Sequence, residues 1–565
     1  MAVTRAEAIA ALTGPGQPFE LETIERRGVP LRVFKQAPAS MRDVLASTRG
    51  HGDRDFLVYQ GERITFSEHL GLVAGLAAWL AEEHGVGKGD RVAIGMRNYP
   101  EWVISFWATM SLGAIAVPLN AWWLGPELEY AITDSGSKVL LLDGERLERL
   151  SSHLPGLGVD ATVVCRHRGD VPDGVVRWED LRPTLDVSRS LPDVEIGPDD
   201  HATILYTSGT TGAPKGALAT HRNHVTNIMN TLLMGAVGAA VAGITLDPDN
   251  PPPQGAGLQV FPFFHIGGLS GLYVTTVSGN KLVTMYKWDV DEAIDLLINE
   301  RITSTSMVPT VLRQLLESPR LASLPRDALA GIASGGAPVP PDLIRSIERE
   351  FESKVSPANG YGLTETTSAV IINSGADYFA HPDSVGRPAV GADVRVVDES
   401  GEDVPEGEIG ELWVRGPNIV DGYWNKPEAT AAAFTDGWFH TGDLGRIDAE
   451  GFVHVVDRLK DVVIRGGENV YSAEVEAVLF EHPAVLDVAI IGLPHESYGE
   501  EVAAVVNLRE GATATAQELQ EFAAEKLARF KVPTHIFFRN EPLPRTATGK
   551  VLKRDLRDEM TKAAS

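Results

Sequence analysis

A stretch near the middle of the chain, rich in glycine and hydroxyl groups, has the composition of a phosphate-binding loop. It runs from Tyr206 to Ala217 and reads YTSGTTGAPKGA. Glycines let backbone N–H groups approach an anion without a Cβ in the way, while hydroxyls and a lysine add donors and charge. The candidate phosphate contacts are Thr207, Ser208, Gly209, Thr210, Thr211, Gly212 and Lys215. A Walker A loop needs G-x-x-x-x-G-K-[ST], so this stretch is a different kind of loop, because its lysine follows a proline and precedes Gly216.

Two further glycine turns carry polar groups. They are 334–338 (SGGAP) and 359–365 (NGYGLTE), and each follows a predicted strand. Ligands gather at such strand ends in open α/β sheets. The second turn ends in Glu365, and a hard cation such as Mg²⁺ often sits between one carboxylate and substrate phosphates.

Three charged residues farther along the chain could complete a nucleotide site. Asp443 lies in the sequence Thr-Gly-Asp, and a carboxylate can accept from the two vicinal hydroxyls of a ribose. Arg458 follows an aspartate at a predicted strand end, and Lys550 lies near the C-terminus in PRTATGK. By composition alone, Arg458 reads as a structural residue and Lys550 as a solvated charge.

An apolar segment around one histidine is a candidate substrate pocket. The stretch 261–269 reads FPFFHIGGL, and from Leu258 to Asn280 there is no Asp, Glu, Lys or Arg. An amino acid substrate would bring an ammonium group that wants a buried acidic partner. The segment therefore favours a fatty or aromatic acid, and its apolarity does not separate the two. A single histidine among aromatic residues, such as His265, is typical of a core residue whose hydrogen bonds are satisfied within the protein.

The elements that would position these residues alternate between strand and helix from about residue 50. Thr65 and Glu68 form a predicted capping box before an apolar helical repeat. Further predicted strands are 91–96, 114–118, 138–143 and 202–206, and predicted helices are 101–112, 126–135 and one beginning near Thr220. Strands alternating with helices of this length predict parallel sheet built from β-α-β units.

The pattern changes after about Asp383. Short predicted strands at 394–397, 410–415 and 452–456 are separated by glycine turns, which indicates a small, mostly β subdomain. Beyond it we predict a compact α+β unit with helices at 473–480 and 516–528, strands at 485–492, 501–508 and 535–539, and a terminal helix from Val551. We interpret 247–257 (DPDNPPPQGAG) as a surface loop, and whether the longer loop 244–257 covers the pocket stays open.

Composition narrows the class of protein. The 565 residues include 50 basic and 77 acidic side chains, for a formal charge of -27. That balance argues against sequence-independent binding to nucleic acid or to an anionic membrane. The single cysteine, Cys165, excludes an intrachain disulfide, so a cytoplasmic location is expected. We find neither a signal peptide nor an apolar run long enough to span a bilayer.

The stretch YTSGTTGAPKG resembles the phosphate-loop signature of the adenylate-forming superfamily, which includes acyl- and aryl-CoA synthetases, peptide synthetase adenylation domains and beetle luciferases. The other signatures occur in the family's order, and the resemblance covers nearly the whole chain. It implies an α/β N-terminal domain over 1–456, made of two parallel-sheet subdomains and a β-rich subdomain at about 383–456. A hinge at 457–463 and a mobile α+β domain at 464–565 would follow.

The resemblance also implies roles for individual residues. Tyr361 would be the adenine platform, and Thr364 would contact the α-phosphate or the substrate carboxylate. Glu365 and Thr207 would be linked to Mg²⁺, and Lys550 would bridge the carboxylate and the α-phosphate, where a cation offsets transition-state charge. The implied catalytic set is Lys550, Lys215, Glu365 and Thr364. The implied ATP and AMP contacts add Gly335, Gly336, Ala337, Asn359, Gly360, Asp443 and Arg458.

Coenzyme A would use a second arrangement of the same domains. The resemblance implies rotation about Lys460, after which Gly466 and Gly467 would admit the pantetheine arm; a turn or β-bulge explains these glycines equally well. Lys531 is a candidate contact to the CoA phosphates. His265, Gly335 and Gly360 are the candidates for the acid pocket.

These expectations describe an ATP- and Mg²⁺-dependent acid:CoA ligase that acts through an acyl-adenylate. Its substrate would be an apolar acid, and we predict a medium- or long-chain fatty acid. An aryl acid of benzoate or cinnamate type, an acyl-AMP ligase serving a carrier protein, and a luciferase-like oxygenase are alternatives within the fold. A non-catalytic nucleotide-binding protein is the alternative from another class. The expected partners are the acid, ATP and CoA, with no nucleic acid, and a homodimer stays open.

Overall fold

The computed structural model describes residues 3–207, 213–244, 253–325, 328–546 and 549–564. In this part of the chain a large N-terminal region carries a hairpin and three larger sheets, and a smaller C-terminal region carries one sheet. The elements up to the candidate phosphate loop are α1 (Arg5–Thr13), β1 (Leu21–Arg26), β2 (Val29–Phe34), α2 (Met41–Ser47), β3 (Asp55–Tyr59), β4 (Glu62–Thr65), α3 (Phe66–His84), β5 (Arg91–Gly95), α4 (Pro100–Ser111), β6 (Ile115–Pro118), α5 (Gly125–Ser135), β7 (Val139–Asp143), α6 (Gly144–Leu150), β8 (Ala161–Cys165), β9 (Val175–Arg177), α7 (Trp178–Leu181) and β10 (His201–Thr207).

The remaining elements complete the second α/β subdomain, the β subdomain and the C-terminal domain. The next elements along the chain, of which β11 still belongs to the first large sheet, are β11 (Lys215–Thr220), α8 (His221–Val241), β12 (Ala256–Gln259), α9 (Ile266–Val277), β13 (Lys281–Thr284), α10 (Val290–Asn299), β14 (Ser304–Met307), α11 (Pro309–Glu317), β15 (Gly331–Gly335), α12 (Pro341–Glu350), β16 (Ser356–Leu363), β17 (Ser368–Ser374), α13 (Ala376–Ala380) and β18 (Arg387–Pro388). After these come β19 (Asp393–Val397), β20 (Gly410–Arg415), α14 (Pro427–Ala433), β21 (Phe434–Thr435), β22 (Trp438–Ile447), β23 (Val453–Arg458), β24 (Val463–Arg465), β25 (Glu468–Val470), α15 (Ser472–Phe480), β26 (Val485–His495), β27 (Gly499–Leu508), α16 (Ala516–Ala524), β28 (His535–Arg539) and α17 (Lys553–Ala564).

The two large sheets are parallel in their interiors, which confirms the α/β prediction. The first has seven strands in the order β11-β10-β6-β5-β7-β8-β9, and only the β10–β11 pair is antiparallel. The second has nine strands in the order β18-β17-β16-β15-β14-β12-β13-β3-β4, with antiparallel pairs at its two ends. Parallel interior strands are covered on both faces, which is why β7 is apolar and buried almost throughout.

Helix α4 holds the two large sheets together. All of its residues from Pro100 to Ser111 are buried. Trp102 stacks on Phe263 with ring centroids 5.0 Å apart, and Phe106 lies 5.8 Å from Tyr273, so the helix packs against the segment around α9. Aromatic side chains bury large apolar areas. This core therefore positions the candidate acid pocket relative to the first sheet.

Local signals account for both ends of helix α3. The predicted capping box of α3 is present, since Thr65 and Glu68 each bond the other's backbone N–H. Gly85 ends α3 in the left-handed conformation, with φ of 56°.

The structure corrects four sequence boundaries. The extended segment after the phosphate loop is a strand, β11, that pairs with β10 before α8 begins. Residues 256 and 257, predicted as loop, belong to β12. Helix α16 ends at Ala524, and α17 begins at Lys553 because Val551 forms a β-bridge with Arg545. Within the described ranges, no helix combines the length and the apolarity that crossing a membrane requires.

Candidate active site

The ends of β10 and β11 flank the candidate phosphate loop. Thr207 pairs with Lys215 in the antiparallel register of these strands, so the loop between them closes a hairpin. The predicted contacts Ser208, Gly209, Thr210, Thr211 and Gly212 lie outside the described residues. A Walker A loop leads directly into a helix, whereas here a strand separates Lys215 from α8.

The two predicted glycine turns lie side by side. In the parallel register of β15 and β16, Gly335 pairs with Gly360. A Cβ on Gly335 would lie 3.2 Å from the Gly360 carbonyl oxygen, so a larger residue here would crowd the neighbouring strand. Gly336 has φ of 78° and leads into Ala337 at the sheet edge. Asn359 is buried and donates from Nδ2 to the Tyr378 hydroxyl at 3.1 Å.

Tyr361, Asp443 and Arg458 form one connected group. The Tyr361 hydroxyl donates to Asp443 Oδ2 at 2.7 Å, and Arg458 Nε lies 2.9 Å from Asp443 Oδ1. Asp443 is 3% exposed, and the contact of its Oδ1 with Arg458 is an ion pair that lacks hydrogen-bond geometry. Burial and the neighbouring Asp443 carboxylate raise the pKa of Tyr361. A buried acceptor beside a cation is the arrangement that a ribose hydroxyl would satisfy.

Glu365 lies just beyond the end of β16, the strand that carries Tyr361. It lies in a 3₁₀ turn, Thr364–Thr366, at the end of β16, and it is buried. Its Oε1 accepts a hydrogen bond of 2.7 Å from the Tyr423 hydroxyl. Lys215 Nζ lies 5.1 Å from the centroid of the Tyr423 ring. Tyr423 therefore connects the two sides of the candidate phosphate site, and the sequence analysis did not identify it.

The donor set is compatible with Mg²⁺ held jointly by protein and substrate. Among the described residues no group of three or more His, Cys, Asp or Glu side chains could hold a metal without help. Glu365 offers one buried carboxylate, and Thr207 offers a hydroxyl near the loop. Mg²⁺ is commonly bound by one or two carboxylates together with substrate phosphates.

Lys550 reaches this site from the C-terminal domain. Its loop is closed by a hydrogen bond from Thr546 N to Lys550 O at 2.8 Å, and Arg545 bonds the Gly549 carbonyl and lies 2.6 Å from Asp487. A Cβ on Gly549 would lie 3.4 Å from Val308, so the loop touches the large domain. Burial, followed by the charges of Arg458 and Lys460, lowers the pKa of Lys550 to about 8.

His265 begins helix α9 beside the candidate acid pocket. Its Nδ1 accepts from Gly267 N at 3.1 Å, and its ring stacks on Phe261 at 6.2 Å between centroids. Burial lowers the pKa of His265 to about 4, so the imidazole is neutral near pH 7. Phe261 also lies against Gly336, which links the histidine to the β15 turn.

A cavity of about 480 Å³ lies between the large domain and the Lys550 loop. Phe261, Val308 and Met285 contribute apolar surface, while Arg97 and Arg545 contribute charge. Arg97 is held between two aromatic rings, with its guanidinium carbon 4.3 Å from the Trp122 ring and 5.3 Å from the Tyr286 ring. The cavity could admit an apolar chain that ends in anionic groups.

The predicted CoA contacts lie elsewhere on the C-terminal domain. Gly466 and Gly467 form the exposed turn between β24 and β25, with φ of 62° and 88°. The Lys531 ammonium donates to both oxygens of Glu474, at 2.8 and 2.7 Å. Lys460 follows β23 directly, and burial lowers its pKa. The structure thus brings the described candidates for the adenylation site close together. The glycine turn and Lys531 lie outside that group.

Comparison with known proteins agrees with this geometry. The AMP-binding enzyme family matches residues 45–424, and the C-terminal domain of AMP-binding enzymes matches residues 474–550. A feruloyl-CoA synthase from Amycolatopsis sp is 36% identical over 88% of this chain and 94% of its own length. The long-chain-fatty-acid–CoA ligase FadD13 of Mycobacterium tuberculosis is 34% identical over 88% of this chain and 93% of its own.

A solved structure has a similar fold and a related sequence. The ATP-bound MatB of Rhodopseudomonas palustris superposes with a TM-score of 0.80 at 32% identity, covering 93% of this chain and all of the other. The two matched family regions fall on the large domain and on the C-terminal domain that carries Lys550. The chain therefore belongs to the AMP-binding enzyme family, within the adenylate-forming superfamily, and is an AMP-forming acid–thiol ligase.

Proposed function

We propose that this ligase joins an apolar carboxylic acid to coenzyme A through an acyl-adenylate. The observation that carries the proposal is that Lys550 lies close to the group formed by Tyr361, Asp443 and Arg458. This arrangement combines an acceptor for the ribose with a cation from a second domain. A carboxylate oxygen attacks the α-phosphorus of ATP, and the bond to the bridging β-oxygen breaks. Pyrophosphate leaves, and the acid is held as a mixed anhydride with AMP.

The proposed residue roles follow from charge and position. Asp443 accepts from the ribose, Tyr361 presents its ring to the adenine, and Lys215 meets the β- and γ-phosphates. Lys550 lies between the carboxylate and the α-phosphate, with Thr364 beside them. Glu365 and Thr207 would hold Mg²⁺, which neutralises phosphate charge when bound. Reactions of this type depend mainly on positioning and electrostatics, which fixed charges supply.

The second half-reaction needs the thiol of CoA at the same carbonyl carbon. Its sulfur attacks, AMP leaves and the thiol proton is lost to solvent. We propose that rotation about Lys460 replaces the Lys550 loop with the Gly466–Gly467 turn, whose backbone allows close approach. Lys531 is the least supported CoA contact, because Glu474 already neutralises it.

For the acid we propose a medium- or long-chain fatty acid. The uncharged wall from Leu258 to Asn280 supports an apolar substrate. An aryl acid is a second candidate, because the stacked Phe261–His265 pair offers flat surfaces and a feruloyl-CoA synthase is among the relatives. A neutral His265 can border the carboxylate end of either acid without adding charge.

A pyrophosphate-release screen tests this proposal. The purified enzyme would be given ATP, Mg²⁺ and a panel of C2 to C18 fatty acids, benzoates and cinnamates, with and without CoA. We expect C8 to C18 acids to give the highest rates, with AMP release matching thioester formation. Highest rates with cinnamates would favour the aryl alternative. Adenylation that never yields a CoA thioester, but proceeds with a carrier protein, would contradict the CoA ligase function.

The state of the protein in the cell is a further part of the proposal. We propose a cytoplasmic enzyme whose partners are small molecules and which could form a homodimer. Sedimentation of the purified chain over a range of concentrations would decide between monomer and dimer. Neither outcome alters the proposed chemistry, because every proposed contact lies within one chain.

A further inference from the structure

Tyr423 joins two groups that are far apart in the sequence. Its hydroxyl donates to Glu365 Oε1 at 2.7 Å, and its ring lies under the Lys215 ammonium, 5.1 Å from Nζ to the ring centroid. Burial and the Glu365 carboxylate raise the pKa of Tyr423, so the phenol keeps its proton. One side chain therefore contacts the candidate Mg²⁺ carboxylate and the candidate phosphate cation.

The backbone that carries Tyr423 is held firmly. Leu218 N donates to Gly422 O at 2.9 Å, and Trp424 N donates to Gly216 O at 2.8 Å, so the segment pairs with β11 through an isolated antiparallel bridge between Tyr423 and Ala217. Tyr423 N donates to Thr430 Oγ1 at 2.9 Å. The position of the phenol is thus set by the strand that also carries Lys215.

The same segment is tied to the backbone of Glu365. Val420 N donates to Glu365 O at 2.9 Å. In the described part of the chain, Tyr423 is the hydrogen-bond donor to the Glu365 carboxylate, through one oxygen only. Within the described ranges no donor meets the second oxygen, so that oxygen could bind a cation. Such a donor behind a metal-binding carboxylate orients it and tunes its basicity.

We infer that Tyr423 is a positioning residue that holds Glu365 in the orientation in which it binds Mg²⁺·ATP and, through its ring, holds Lys215 on the phosphates. This inference rests on the proposed function, since it assigns Glu365 to the metal and Lys215 to ATP. It predicts that the hydroxyl and the ring have separable effects. The hydroxyl supports Mg²⁺ binding, and the ring supports the part of ATP binding that does not depend on Mg²⁺.

Equilibrium binding of ATP without any acid separates these effects. In Tyr423→Phe we expect the Mg²⁺ concentration that half-saturates ATP binding to rise about 10- to 100-fold, the usual result of losing such a partner. Affinity for ATP in EDTA should stay at the wild-type value, because the ring under Lys215 remains. In Tyr423→Leu the affinity in EDTA should fall as well, because the cation–π contact is lost.

A second comparison tests whether Tyr423 acts through Glu365. In a Glu365→Gln background, adding Tyr423→Phe should cause no further change in Mg²⁺ dependence. Tyr273→Phe is the matched control, since it removes the hydroxyl of another buried tyrosine, one that contacts His224. Thermal unfolding without ligand should show Tyr423→Phe folded.

The outcomes are distinguishable. An unchanged Mg²⁺ dependence in Tyr423→Phe, or an equal loss of binding in EDTA for the Phe and Leu variants, would overturn the inference and leave the proposed function standing. Failure of the wild-type protein to bind ATP under any condition would overturn both.

Discussion

Asp443 and Arg458 stand opposite each other in the antiparallel register of β22 and β23, with Arg458 Nε 2.9 Å from Asp443 Oδ1. The pair is one of several Asp–Arg pairs in the β subdomain. It differs because Asp443 is buried and also accepts a hydrogen bond from the Tyr361 hydroxyl through Oδ2. The ladder thus presents a carboxylate to a ligand, with the Arg458 guanidinium beside it.

Asp443→Asn should weaken ATP binding by about 10- to 100-fold, because hydrogen bonds to charged groups contribute about 1.5–3 kcal/mol. The variant should also lose preference for ATP over 2′-deoxy-ATP, measured as the ratio of their dissociation constants. Asp393→Asn is a matched control, since Asp393 pairs with Arg415 at 3.0 Å in the same sheet. Retained preference in Asp443→Asn would refute the ribose assignment.

Lys550 should limit activity at alkaline pH. Burial and nearby cations lower its pKa from 10.5 to about 8, so the free enzyme loses the ammonium as pH rises through 8. We expect kcat/KM for ATP in the adenylation reaction to decline over that range. Lys550→Arg should be slower at pH 7 but should lack the decline, because a guanidinium stays protonated. An identical alkaline decline in both enzymes would exclude Lys550 as its source.

Asp457 should stabilise the present docking of the C-terminal domain. It belongs to β23, yet its Oδ2 accepts from Ser472 Oγ at 2.8 Å and from Ser472 N at the start of α15. Lys553 Nζ donates to the same Ser472 hydroxyl at 2.6 Å. Removing a carboxylate at a helix start costs about 1 kcal/mol or more. Asp457→Ala should therefore accelerate proteolysis between β23 and β24.

The control for that experiment lies within the same domain. Glu518→Ala removes the carboxylate of the capping box that begins α16. It should leave the segment between β23 and β24 as resistant as in the wild type. Equal cleavage of Asp457→Ala and the wild type would show that Asp457 does not hold the domains together.

His69 should make the protein sensitive to acid. Both ring nitrogens are buried without hydrogen bonds among the described residues, and burial lowers the pKa of His69 from 6.5 to about 3. The unfolded chain takes up a proton below pH 6.5 while the folded protein does not, so stability falls as pH drops from 6.5 toward 3. Between pH 6.5 and pH 5 this amounts to about 2 kcal/mol, at about 1.4 kcal/mol per pH unit.

His69→Met should remove this part of the acid sensitivity. The shift of the urea midpoint between pH 7 and pH 5 should be smaller in the variant than in the wild type. His221, His224 and His265 are buried with lowered pKa values as well, so some acid sensitivity should persist. An unchanged shift would contradict the buried, neutral state of His69.

Much of the fold follows from local patterns. The capping box at Thr65, the strand at Val139–Asp143 and the helices of the C-terminal domain were predictable because their signals lie within a few neighbouring residues. The exceptions have non-local causes. β11 is a strand because it pairs with β10 on one side and with the Tyr423 segment on the other, and neither pairing is visible in its own sequence.

The sequence by itself determined the reaction type through its resemblance to the adenylate-forming superfamily, because the phosphate-loop signature and the segments that carry Glu365, Asp443 and Lys550 occur in the family's order. Only the tertiary structure decided how they meet. Parallel pairing places Gly335 beside Gly360, antiparallel pairing sets Arg458 on Asp443, and Tyr423 reaches Glu365 across 58 positions of chain. The physical reason is that sheet register and domain docking are set by long-range burial and hydrogen bonding, which a motif in one segment does not encode.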